Sequence, residues 1–63
     1  MCLSIVYVET KGKKEEIMRD VAHLEAEKDG FTLVGLLGER KFVRGRLRSV
    51  DFVPEHLVVL EKT

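Results

Sequence analysis

The chain has one cysteine, one proline and no tryptophan among its 63 residues. A single cysteine cannot close an intrachain disulfide, which excludes a disulfide scaffold and points to a reducing, cytoplasmic compartment. With no second cysteine there is no CxxC, and no zinc-ribbon or dithiol redox motif. The four aromatic residues, three Phe and one Tyr, make no paired stacking platform for nucleic-acid bases. Neither sign of charge is in excess: eleven basic and eleven acidic residues cancel, which excludes a polyanion binder by bulk charge or an acidic tail. No apolar run approaches the roughly 18–20 residues that cross a bilayer, and no charged region precedes an apolar stretch at the N-terminus, so neither a membrane span nor a secretory signal is expected. Nor is there a nucleophile elbow, a phosphate loop or a convincing carboxylate pair, so no catalytic role is expected.

A chain this short forms one small domain, residues 1–63. Such a domain buries only about 60% of the surface its unfolded form exposes and gains little surplus stability from its core. With disulfides excluded, the remaining supports are tight packing, a metal ion or a second copy, and a homodimer is expected.

The strongest strand pattern opens the chain at Met1-Cys2-Leu3-Ser4-Ile5-Val6-Tyr7-Val8. Leu3, Ile5 and Tyr7 fall on one face and Cys2, Ser4, Val6 and Val8 on the other, so both faces carry residues that suit a central strand. The lone thiol stands at its head. A free cysteine is often only a small buried hydrophobe, and nothing in its spacing argues for metal. Gly12, in the polar stretch 9–14, marks a hairpin turn.

Residues 15–27 read two ways. Ile17, Val21 and Leu24, with Met18 and Ala22 alongside, fit a helical stripe slightly better. The same residues also divide into a short strand at 16–18, a kink at Arg19-Asp20, and a strand at 21–27 with Ala22, Leu24 and Ala26 facing inward. Asp29-Gly30 is a turn signal, followed by an apolar strand over 31–37 that ends at Gly38-Glu39. Residues 40–53 alternate imperfectly, with Gly45 expected to break the register or bend the strand. Pro54-Glu55-His56 forms a turn before the apolar strand Leu57-Val58-Val59-Leu60. Short strands between glycine turns predict an all-β fold, a small antiparallel barrel or sandwich of about six or seven strands.

The order of these elements resembles a known family. The Met1-Cys2 start, Asp20-Val21, Leu24-Glu25, Asp29-Gly30, Leu33, Gly38-Glu39, a basic-apolar strand and Leu57-Val58-Val59-Leu60-Glu61 are similar to the CooT-type nickel-binding proteins. These are accessory proteins of nickel-dependent carbon monoxide dehydrogenase, earlier labelled predicted RNA-binding proteins. The resemblance implies an all-β homodimer that binds Ni(II) through Cys2 and serves that enzyme or a related one. It also decides the ambiguous middle in favour of strands. The Met1-Cys2-Leu3 opening is also similar to the HypC-type hydrogenase-maturation chaperones, although Ser4-Ile5-Val6-Tyr7 replaces their usual Pro-Gly element.

Nickel(II) accepts thiolate, imidazole and amide donors, and mixed nitrogen–sulfur sets favour a square plane. One cysteine per chain supplies too few donors. A twofold axis brings the same patch of both chains together, so two Cys2 thiolates could share one ion, with backbone nitrogens of residues 1–2 completing the plane. His23 and His56 are read as surface or packing residues that could add secondary sites. A rival reading rests on Arg40, Lys41, Arg44, Arg46 and Arg48, five cations in nine residues with Phe42 among them, which could follow a phosphate backbone. The plainer account is a solvated strand face whose charge resists edge pairing, or a strip that docks an acidic enzyme.

Overall fold

The computed structural model describes residues 3–63. Six strands follow one another: β1 (Ser4–Thr10), β2 (Lys13–Ala26), β3 (Gly30–Gly35), β4 (Arg40–Arg44), β5 (Arg46–Asp51) and β6 (Leu57–Glu61). They form one sheet in the order β4-β3-β2-β1-β6-β5. The all-β class and the strand number agree with the pattern in the sequence. The expected antiparallel barrel or sandwich does not: the sheet is single, unclosed and mixed, because β1 and β6 run parallel, with Val6 beside Val58 and Val8 beside Leu60. The antiparallel β5–β6 hairpin sets β6 between β5 and β1, which leaves β6 pointing the same way as β1.

Residues 15–27 belong to strand, not helix, and the kink falls where Arg19-Asp20 placed it. Asp20 has φ +53°, a left-handed conformation that Asp tolerates better than most residues. The strand continues through this corner: its first half pairs with β1 and its second half with β3. The inward set differs from the expected one. Val21 is buried and Leu24 packs against the core, while Ala22 and Ala26 are exposed. A register shift between Val21 and His23 inserts one residue, so Val21 and Leu24 share a face that strict alternation would deny them.

The core is built from cross-strand neighbours on one face: Val6, Val8, Val21, Leu33, Val58 and Leu60, with Ile17, Met18, Phe31 and Val43 packed around them. Val6, Leu33 and Leu60 are fully buried, and each contributes about 1.5–3 kcal/mol of transfer free energy. Val59 is buried on the other face, beside Tyr7 of β1.

Two glycines shape the end of the sheet opposite the β1 start. The β1–β2 hairpin closes through Lys11 and Gly12, both at positive φ (+52° and +81°), as a two-residue turn matched to strand twist requires. Gly45 joins the two edge strands β4 and β5 at φ +157°. A Cβ there would lie 2.5 Å from the Glu61 carbonyl oxygen, so only glycine lets the chain pass from one edge of the sheet to the other.

Candidate functional site

At the end where β1 begins, three segments converge. The Ile5 N–H donates to the His56 carbonyl at 3.0 Å, and the Leu36 N–H donates to the Asp20 carbonyl at 3.0 Å. Between them lies an open hollow of about 300 Å³, lined by Leu3, Ile5, Arg19, Asp20, Pro54, Glu55 and His56. Arg19 is already engaged. Its Nε donates to the Glu16 carboxylate at 2.7 Å, and that hydrogen bond and charge hold its pKa above the ordinary guanidinium value.

The loops around this end carry large apolar side chains. Leu37 is 89% exposed and Val53 84% exposed, with Leu36 and Phe52 also open to solvent. The Phe52 ring meets His56 edge-on, 5.8 Å between centroids. These exposed side chains were not legible in the sequence, where Leu36-Leu37 read as the end of a strand and Phe52-Val53 as the end of another. β3 stops at Gly35 and β5 at Asp51, which leaves both pairs in the loops.

Cys2 lies outside the described residues. Leu3, the first described residue, lines the hollow together with His56, which is the described imidazole at this end. His23 is exposed on β2, its Nε2 3.3 Å from the Glu25 carboxylate. Among the described residues no three His, Cys, Asp or Glu side chains converge as a metal-ligand set.

The basic run 40–48 is divided between the two edges of the sheet. Arg40, Lys41 and Arg44 lie on β4; Arg46 and Arg48 lie on β5. The β5 pair faces carboxylates: Arg48 Nε stands 3.0 Å from Glu9 and Arg46 4.0 Å from Glu61. Lys41 and Arg44 border a cleft of about 280 Å³ between β4 and the β1–β2 hairpin, with Val8, Ile17 and Val43 in its lining. The five cations therefore lie on two strands joined at Gly45. No helix of the described residues is long and apolar enough to cross a membrane.

The molecule is thus a small all-β domain whose distinctive features are surfaces at its two ends. Its sequence matches the family model of the CO dehydrogenase accessory protein CooT over residues 1–61, and the chain belongs to that family. It is an accessory protein and not an enzyme. A crystal structure described as a CooT of Carboxydothermus hydrogenoformans superposes with a TM-score of 0.87 at 22% identity, covering 98% of both chains. That similarity establishes the fold. No curated protein matches the chain.

Proposed function

We propose that the protein carries Ni(II) as cargo for a nickel enzyme, carbon monoxide dehydrogenase or a relative, and binds it through Cys2 at a site shared by two copies. The family supplies the link to the enzyme. The observation that supports the shared site is the exposure of Leu36, Leu37, Phe52 and Val53 in two loops beside the hollow where β1 begins, with the Leu36 N–H bound to the Asp20 carbonyl and the Phe52 ring against His56. Apolar loops of this kind mark a contact surface. A twofold contact there brings the start of each chain toward its partner's.

The donor chemistry fits the same arrangement. A single thiolate leaves a four-coordinate ion three donors short, and no described cluster of side chains supplies them. Two Cys2 thiolates with terminal backbone nitrogens make a nitrogen–sulfur set suited to nickel.

The test is a Ni(II) titration under reducing conditions with the assembly mass measured alongside, on the wild type and Cys2→Ala. One ion per dimer, lost in the variant, is the expected result. Unchanged affinity in Cys2→Ala, or a monomer that takes up nickel, overturns the reading.

A further inference from the structure

The other end of the sheet has a separate character. The chain as a whole is neutral, yet six of its eleven cations gather there: Lys11, Lys13, Lys14, Lys41, Arg44 and Lys62. Lys62 lines both the hollow beside the Lys11-Gly12 turn and the cleft under β4, and its N–H donates to the Glu9 carbonyl at 3.1 Å. Lys13 and Lys14 pair with Thr10 and Glu9 in the hairpin. None of the six forms an ion pair among the described residues, whereas the neighbouring carboxylates of Glu9 and Glu61 are occupied by Arg48 and Arg46. Glu15 is the remaining acid in the cleft lining.

Beneath these charges the apolar part of the cleft lining is Val8, Ile17, Val43 and Phe42, the last 54% exposed. Its volume of about 280 Å³ falls just under the usual range for a whole small-molecule site and suits one or two side chains of a longer ligand. β4 is an edge strand, paired only with β3. One row of its backbone N–H and C=O groups therefore faces outward, ready to accept another strand.

We infer that this end docks an extended acidic segment of a partner protein, added along the free edge of β4, with its aliphatic side chains in the cleft and its carboxylates on Lys41, Arg44 and the neighbouring lysines. Successive side chains of a strand point to opposite faces; on β4 Lys41 and Val43 share one face and Phe42 and Arg44 the other, so each face offers the added segment one cationic and one apolar group. Nucleic acid fits less well, because its bases need aromatic platforms and Phe42 is the one aromatic group in the cleft lining. The inference deepens the accessory role proposed above and rests on it only for the nature of the partner. Docking at this end leaves the end where β1 begins free.

The probe is a fluorescein-labelled, N-acetylated heptapeptide of alternating glutamate and valine, titrated by anisotropy at low ionic strength. Saturable binding is expected, weakened about tenfold or more in Lys41→Glu/Arg44→Glu and changed less than about twofold in Arg46→Ala/Arg48→Ala. Replacing the valines of the peptide by serine is expected to weaken it comparably. Circular dichroism and nickel uptake of the Lys41→Glu/Arg44→Glu protein should match the wild type, which separates lost docking from lost folding. Absence of saturable binding, or equal binding of the serine peptide, overturns the inference. Oligouridine that binds more tightly than the peptide and is lost in the same variant overturns it in favour of a nucleic-acid surface. Because the readout requires no metal, failure of the nickel titration leaves the peptide result intact, and the reverse also holds.

Discussion

Arg48 on β5 reaches across β6 to set its Nε 3.0 Å from the carboxylate of Glu9 on β1. The pair ties the edge hairpin to the central strand over a buried Val59. Glu9 is the more enclosed partner, 21% exposed against 52% for Arg48, so solvent screens the pair only in part. Arg48→Ala is expected to lower the unfolding free energy by about 0.5–1 kcal/mol in urea titrations at low salt. The difference should shrink in concentrated salt, since charge screening removes most of what the pair contributes. An undiminished loss in high salt would assign the effect to the packing of the arginine stem instead.

Gly45 is the joint between the two edges of the sheet, and its backbone lies where other residues are strained. Gly45→Ala places a methyl group against the Glu61 carbonyl and forces either β4 or β6 to move. We expect a loss of roughly 2 kcal/mol or more, seen as a Tm lower by about 10 °C. Gly12→Ala, where nothing stands within 4 Å of the new methyl, should lose only the about 1 kcal/mol set by its positive φ. Equal losses at the two sites would contradict the close approach at Gly45.

The contrast between these glycines shows what could be read in advance. Gly12 and Asp29-Gly30 are local turn signals, and the strands around them follow from residues close in sequence. The kink at Arg19-Asp20 belonged to the less favoured of two readings of residues 15–27, and only the family resemblance selected it over a helical stripe. The inward choice of Val21 over Ala22 was not legible, because a one-residue bulge against β3 decides it. The parallel pairing of β1 with β6 joins segments about fifty residues apart and leaves no local mark. For the same reason the placement of the basic run 40–48 on the two edge strands depends on strand order, and only the bend at Gly45 was visible in the residues.

If Leu36, Leu37, Phe52 and Val53 form the contact between two copies, charge placed there should separate them. Leu37→Asp/Val53→Asp is expected to sediment as a monomer while keeping its strand content, since both side chains are more than four-fifths exposed and add nothing to the core. Burying apolar surface against a partner contributes about 25 cal/mol per Å², and two carboxylates in that contact reverse the balance. Nickel capacity should fall in step with the dimer. Sedimentation velocity with and without nickel provides the measurement, and a dimer that survives both substitutions would place the twofold contact elsewhere.

The pH dependence of nickel binding separates a shared site from a private one. A thiol binds metal only after losing its proton, so affinity rises with pH and falls as the solution is acidified below the thiol range. Every proton that a coordinating group loses adds roughly tenfold per pH unit to that fall. Two Cys2 thiols release two protons per ion and the terminal backbone nitrogens add their own, so the apparent affinity should drop by at least about a hundredfold for each unit of acidification between roughly pH 8 and pH 6. Competition titrations against a chelator of known proton affinity read this slope, and the same titrations give the ratio of ions to chains. A slope below two, or one ion per chain in a protein that sediments as a dimer, would mean that two sulfurs do not share an ion, and the symmetric site would have to be given up even though Cys2 remained a ligand.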